Sequence, residues 1–413
     1  MTGFGMSNAS RIFLFFSFGY FVSYLYRGVN IGFSGFLTSE MGLSAADLGM
    51  LTSLYFLGFA LTQIPAGAAL DTWGPRRVNG VLVLCAAVGS VIFGLSDSMF
   101  SLMVGRFIIG VGVAVCLGAA LQAMAFTFPN HRLPMINGAV VAIGGLGGAV
   151  VGTPLSLMLD VVTWRSASLW LAAITVLVSC LLLFGAKDTG PLHGRKRPSM
   201  KAQLEGTVEI ASNRIFWQIL LFPSLVAGTF YAVQSLWVKP FLLDVSQLPA
   251  STVDGLVSLL GISAVVGSAA SGLVARRIEK FGLGLYHFSG LLLALLVLVQ
   301  FLILAGVPLP HSFYWAAYGF LGGTNVLIYA VLVETFPRTT LGRVGTTFNM
   351  LVFFLIFLFQ NAIGWVVELW QPLAPGVYPA QAHIVAWAIL LALQTMAGIW
   401  YFASRPPKPL ESL

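Results

Sequence analysis

Twelve times along this chain the polar residues give way to an apolar run about long enough to cross a bilayer as a helix. The runs fall at roughly 12–37, 47–70, 78–96, 99–126, 134–160, 166–186, 215–238, 253–275, 284–306, 312–333, 344–367 and 382–403. About 20 apolar residues cover the hydrocarbon core, and inside lipid a backbone must satisfy its own polar groups, so continuous runs of this length read as helices. Only 8% of residues are charged and the mean hydropathy is +0.91, which excludes a soluble domain. The expected fold is an all-α membrane protein of about twelve transmembrane helices. Arg11 precedes the first run, which is longer than a signal-peptide core and lacks a small-residue cleavage site, so it is read as a membrane helix.

Lysine and arginine set the orientation. Arg11, Arg76, Arg77, Arg132, the segment from Lys187 to Arg214, Arg276, Arg277, Lys280, Arg338, Arg343, Arg405 and Lys408 all fall on one side of these runs. By the positive-inside rule that side is cytoplasmic, with both termini inside and the chain in the cell (inner) membrane. The opposite connections carry Glu40, Asp47, Asp97, Asp160, Asp244 and Asp254, with Arg165 and Lys239 as their cations. The net charge of +7 has the same origin, so nucleic-acid binding is not needed to explain it.

Apolar content collapses at "KDTGPLHGRKRPSMKAQLEGTVEIASNR", residues 187–214, a basic linker between six-helix bundles at 1–186 and 215–413. The two halves echo each other. "TFPNHRLPMING" from Thr127 resembles "TFPRTTLGRVGT" from Thr335, 208 residues on, and Gly67 matches Gly272 at a shift of 205. Two elements recurring at nearly one shift point to duplicated, pseudo-symmetric halves.

Gly67, Asp71, Gly74, Arg76 and Arg77, after the second run, resemble the signature loop of the major facilitator superfamily. The twelve-helix layout, the central linker and "TWRSASLW" at the sixth run are similar to it too. The resemblance implies alternating access, with this loop as a cytoplasmic latch between helices. In the second copy Arg276 stands where an aspartate would match Asp71. Read from the residues alone, the loop is either such a latch or a solvated charged turn.

Within the first run, "YFVSYLYRGVN" places Arg27 near mid-membrane, 16 residues beyond Arg11. Arginine cannot shed its proton there, so a partner, water or a ligand has to meet the charge. Tyr20, Tyr24 and Arg27 share a helical face by i, i+4, i+7 spacing, a face suited to a polar cavity. Arg106, in "SLMVGRFIIGVGVAV", lies at comparable depth on the fourth run. It serves either as a ligand contact or as an organiser of the bundle through backbone carbonyls. No carboxylate occupies mid-helix in any run, so two intramembrane arginines point to an anionic ligand in a wet cavity. The pair, with Phe128 and Pro129 closing the fourth helix, resembles the anion:cation symporter branch. Tyr26 and Val113 stand where that branch carries acids. The coupling partner is therefore a proton bound elsewhere or a counter-anion.

The resemblance places the first, fourth, seventh and tenth helices around the cavity. Tyr231 and Gln234 on the seventh, and Asn325 and Tyr329 on the tenth, join the expected substrate-binding set of Arg27, Arg106, Tyr20 and Tyr24. Tyr318, Asn325 and Tyr329 follow i, i+7, i+11, a single face. Tyr231 and Tyr318 also suit packing, and Asn349 and Gln360 read as interhelical glue.

Cys85, Cys116 and Cys180 lie in apolar runs and read as small core residues. There is no HExxH, no phosphate loop and no ATP-binding domain, so no enzyme, metal or cofactor is expected and the energy comes from gradients. The reading is a monomeric secondary active transporter of a small organic anion, of carboxylate or sugar-acid type. The alternative is an exporter of drugs or metabolites with anionic or neutral cargo.

Overall fold

The computed structural model describes residues 7–185, 200–278, 284–337, 340–404 and 406. Residues 187–199 of the basic linker, with Lys280, Arg338, Arg405 and Lys408, lie outside these. Eleven described helices are long and apolar enough to cross a membrane, and the pair Met135–Val150 and Thr153–Leu159, bent by 46°, makes a twelfth. In chain order they are span 1 (Asn8–Met41), span 2 (Ala45–Trp73), span 3 (Pro75–Gly94), span 4 (Met99–Thr127), the bent span 5, span 6 (Trp164–Gly185), span 7 (Arg214–Asp244), span 8 (Ala250–Ser271), span 9 (Leu285–Leu304), span 10 (His311–Thr335), span 11 (Leu341–Val367) and span 12 (Ala380–Ala403). Among the described residues the one extended pairing is an isolated bridge between Ala374 and Val377. The later part of the linker is itself a helix, Met200–Ser212.

Several helix starts carry side-chain caps for their backbone N–H groups. Ser98 accepts from Ser101 N, Thr163 from Ser166 N, and Asn213 from Ile215 N at 2.8 Å. Between spans 2 and 3 the chain reverses at Gly74, whose φ of 78° and ψ of 159° only glycine adopts readily, and Pro75 opens the next helix.

The chain forms two compact units. One comprises Met1–Arg27, Leu54–Gly148 and Leu157–Met200; the other comprises Gly28–Ser53, Ala149–Ser156 and Lys201–Leu413. This grouping differs from a cut at the linker, because close backbone approaches draw two first-half segments, Gly28–Ser53 and Ala149–Ser156, into the second unit. Gly49 lies against the Gln360 carbonyl, Gly364 against Ala45, and Gly152 against Asp254 and Ser258. Ser258 Oγ accepts from Thr153 N at 2.9 Å and donates to Ala149 O at 3.1 Å.

Each unit contains the same helix crossing. In the first, Gly58 faces Phe107 O and Gly110 faces Tyr55 O, joining spans 2 and 4. In the second, Gly267 faces Phe320 O and Gly319 faces Leu260 O, joining spans 8 and 10. Both glycine pairs are 209 residues apart, close to the shift of the sequence echo. A missing Cβ at each crossing lets backbones touch, the usual device where no hydrophobic effect drives helices together.

Candidate functional site

Spans 1, 4, 7 and 10 are all interrupted within the membrane. Span 1 breaks at Val29, between helices Asn8–Gly28 and Asn30–Met41. Span 4 breaks at Ala114 and Val115, between Met99–Val113 and Cys116–Thr127. Span 7 contains a π turn at Val233–Trp237, and span 10 a 3-10 turn at Thr324–Leu327. A break frees carbonyls that lipid cannot solvate, so irregular backbone survives only where side chains or water meet it. Gln63 Nε2 donates to Ala114 O at 3.1 Å. Gln360 Nε2 donates to Ala232 O at 2.9 Å and to Ser235 Oγ at 2.7 Å. Gln360 is thus the glue its sequence context suggests. Discontinuous helices are typical of transporter binding sites.

Arg27 occupies the last turn before the break in span 1 and is 7% exposed. Its guanidinium lies 4.4 Å from the centre of the Tyr24 ring, and Tyr24 meets Tyr20 edge to face at 5.1 Å. The expected face of Tyr20, Tyr24 and Arg27 therefore exists. Glycine at 144 and 147 lets span 5 lie directly on Tyr20 and Tyr24.

Arg106 is 1% exposed. Its Nη1 donates to Tyr26 O at 3.0 Å, and its guanidinium carbon stands 5.3 Å from the Tyr55 ring and 5.9 Å from that of Phe93. Nε and Nη2 have no hydrogen-bond partner among the described residues. Tyr55 lies within electrostatic reach of both Arg106 and Arg27, and its hydroxyl donates to Ser23 O at 3.2 Å. Tyr26, where the related branch has an acid, holds Thr175 Oγ1 at 2.9 Å instead. The unit that contains both arginines has no Asp or Glu among its buried described side chains.

Tyr231, Gln234, Asn325 and Tyr329 belong to the second unit. Gln234 sits in the π turn, and Tyr231 stands beside Phe230 with ring centres 5.1 Å apart. The single face expected of Tyr318, Asn325 and Tyr329 is not formed, because the 3-10 turn changes the helical period between them. Tyr318 is fully buried against Phe230, Trp315 and Trp387. Asn325 donates to Gly322 O at 2.8 Å, whereas Tyr329 is 37% exposed and donates to Asn349.

The residues read from the sequence as a loop lie on helix ends around Gly74: Asp71 Oδ1, in the last turn of span 2, accepts from Gln122 Nε2 of span 4 at 3.4 Å, and Arg76 Nη1, in the first turn of span 3, donates to Leu183 O at 2.8 Å. Leu183 lies in a π turn, Leu181–Gly185, so Arg76 meets a carbonyl in irregular backbone. Gly67 and Arg77 flank these contacts, in span 2 and the first turn of span 3. Cys116 is buried, but Cys180 faces outward and is not a core residue.

Two side-chain pairs were not visible in the sequence, where Lys239, Asp244 and Asp254 read as loop residues. Lys239 and Asp244 belong to the last helical segment of span 7, Val238–Asp244, and Asp254 to the second turn of span 8. Lys239 Nζ meets Asp254 Oδ1 at 2.8 Å, and His383 Nε2 meets Asp244 Oδ2 at 2.9 Å. The one available signal was a lysine and an aspartate five residues apart at the end of an apolar run.

Twelve apolar spans among the described residues, a duplicated helix crossing and several interrupted spans, two of them bearing a buried arginine, define a polytopic membrane transporter rather than an enzyme. The chain belongs to the Major Facilitator Superfamily, whose profile matches residues 16–360. A probable sulfoacetate transporter of Cupriavidus necator is 25% identical over 356 residues, 80% of this chain and 82% of that one. The nitrite extrusion protein of Bacillus subtilis is 23% identical over 265 residues, 63% of this chain and 64% of its own length. A solved bacterial homologue of the human lysosomal transporter Spinster, inward-facing and unoccupied, matches the fold with a TM-score of 0.75 at 17% identity over 97% of each chain.

Proposed function

We propose that this protein is a secondary active transporter that carries a small organic anion across the cell (inner) membrane by alternating access. Arg27 is the direct anion contact and Arg106 the second cation behind it. The observation that supports this most strongly is the state of Arg106: a buried, permanently charged side chain with two donors unmet among the described residues. Such a charge is expensive unless something negative answers it. The likeness to a sulfoacetate transporter agrees, since that name denotes a small, doubly acidic molecule.

In this reading the Tyr20 and Tyr24 rings shape one wall beside Arg27, and Tyr231, Gln234, Asn325 and Tyr329 are substrate-binding residues able to supply uncharged hydrogen bonds. The halves are 1–186 and 215–413, joined by the 187–214 linker, with both termini cytoplasmic. Gly67, Asp71, Gly74, Arg76 and Arg77 form the cytoplasmic latch. The coupling partner is a proton or a counter-anion, and the unit of function is a monomer. A second reading, export of an anion, is favoured by the likeness to a nitrite extrusion protein.

The test is thermal stabilisation of purified protein by sulfoacetate, nitrite and a panel of carboxylic and sugar acids, because a ligand that binds the folded state raises its apparent stability. Arg27→Gln should weaken the acid that stabilises best by about 2–5 kcal/mol, roughly 30-fold to several thousand-fold in Kd. Arg27→Lys keeps charge but loses the planar fork, and should fall between. Unchanged affinity in a folded Arg27→Gln protein would refute the anion site. Uptake and efflux of the same acid in oriented vesicles separate the two directions.

A further inference from the structure

One hydroxyl of span 8 joins the two sides of the bend in span 5. An unbroken helix pairs each carbonyl with the N–H four residues on, so Ala149 O and Thr153 N are the two ends of one rung. Here Ser258 Oγ accepts from Thr153 N at 2.9 Å and donates to Ala149 O at 3.1 Å, a bridge laid across that rung from a neighbouring span. The helices on either side, Met135–Val150 and Thr153–Leu159, are bent by 46°. Pro154 interrupts the ladder here, because it has no N–H for Val150 O, and a side chain inserted into the rung before it opens the bend further.

The contact is closely fitted. A Cβ at Gly152 would run into Ser258 Oγ and the Asp254 carbonyl. Asp254 lies one turn before Ser258 on the same face of span 8, and its Oδ1 meets Lys239 Nζ at 2.8 Å. That face therefore links the Ala149–Ser156 segment of span 5 to the Val238–Asp244 segment of span 7. Just before the rung, Gly147 and Gly148 lie against Tyr24, so the bend begins about one turn from a wall of the proposed anion site. Buried hydroxyls elsewhere in the second unit, those of Thr229, Ser235 and Thr335, donate to the carbonyl four residues back in their own helix. Ser258 instead donates to span 5.

We infer that Ser258 is an exchangeable rung: in contact, its hydroxyl holds span 5 bent, and when span 8 withdraws, Ala149 O and Thr153 N bond each other and the helix closes. The exchange makes the contact reversible inside a membrane, where a backbone group parted from its partner is costly if left unmet. The two groups that Ser258 releases satisfy one another. Its own hydroxyl turns to Asp254 O, the carbonyl four residues back, a bond that serine makes readily within a helix. Separation then strands no donor or acceptor. The inference rests on the transport reading for its purpose, since alternating access needs contacts between spans that form and break at little cost.

The test reads the rung directly. In a background with Cys85, Cys116 and Cys180 replaced, spin labels at Leu157→Cys, which is exposed, and Gly255→Cys, where a side chain meets open space, report the distance between spans 5 and 8. Hydrogen exchange read by mass spectrometry reports the Thr153 amide. The protein is held in lipid nanodiscs with no organic anion present, so a failed anion site does not affect the result. Ser258→Ala should lengthen the label distance and leave the Thr153 amide exchanging within about threefold of wild type, because Ala149 O takes it over. If Ser258 were only a cap, that amide would be stranded and exchange about 10- to 100-fold faster. Gly152→Ala wedges span 8 away with the hydroxyl still present, and should lengthen the same distance with the same slow amide. A fast Thr153 amide, or an unchanged distance, in either variant would overturn the inference.

Discussion

Substituting Gly110 by alanine tests whether the span 2–span 4 crossing positions the arginine site. A Cβ at Gly110 would run into the Tyr55 carbonyl oxygen, which is backbone and cannot move aside cheaply. Overpacking of this kind costs about 1–3 kcal/mol. For a half-transporter of roughly 200 residues that corresponds to a fall in Tm of about 2–12 °C. The displaced residue matters more than the lost stability. Tyr55 presents its ring 5.3 Å from Arg106 and bonds Ser23 in span 1, so pushing it away removes a cation–π contact worth about 0.5–2 kcal/mol. Anion affinity should then fall about 2- to 30-fold. Gly290→Ala is the control, because its Cβ would lie 2.5 Å from the Tyr401 ring, between spans 9 and 12. That variant should lose comparable stability and keep its affinity. The assay is thermal unfolding in detergent with and without the acid that stabilises wild type best. Equal affinity losses in the two variants, or no loss of stability in Gly110→Ala, would refute the reasoning.

Gln360→Leu leaves the Ala232 carbonyl without its amide donor in span 7, and should destabilise by about 1–3 kcal/mol in thermal unfolding. Gly74→Ala forces a side chain into a backbone region reserved for glycine, and should cost about 1–3 kcal/mol, read by the same scan. Tyr26→Phe removes the hydroxyl that bonds Thr175, so it should cost about 1 kcal/mol and leave anion affinity unchanged; a large affinity loss would give Tyr26 a place in the site. Cysteines at Ser212 and Ser251 should react with an impermeant reagent from opposite faces, the first only from the cytoplasm. Labelling of both from one face would contradict the orientation.

The helices were legible because run length in lipid is a physical requirement that no tertiary contact can override. The Tyr20–Tyr24–Arg27 face was legible for a similar reason, since the first helix stays regular through all three. The tenth helix shows the opposite. No glycine or proline marks Thr324–Leu327 itself, so uniform spacing carried Tyr318 and Tyr329 onto one imagined face. The break in span 4 runs through "VAVC", which contains no helix breaker, and depends on an amide from Gln63 in another span. Asp244 and His383 are 139 residues apart, and nothing local to either announces the other. Cys180 misled because an apolar run gives no sign of which face looks toward lipid.

The π turn in span 7 has a mechanical consequence for its final segment. Val238–Asp244 is seven residues long, an arm of about 10 Å beyond the turn. A swivel of about 10° at the turn sweeps the far end through roughly 2 Å, more than a 2.9 Å contact such as that at Asp244 can tolerate. The rest of the helix need not move, because Ser235 travels with the turn and bonds Tyr231 O, while Gln360 of span 11 keeps the Ala232 carbonyl satisfied. A rigid, unbroken rod would have to tilt along its whole length to reach the same displacement. Here a small local rotation suffices to make or break a bond at the membrane surface.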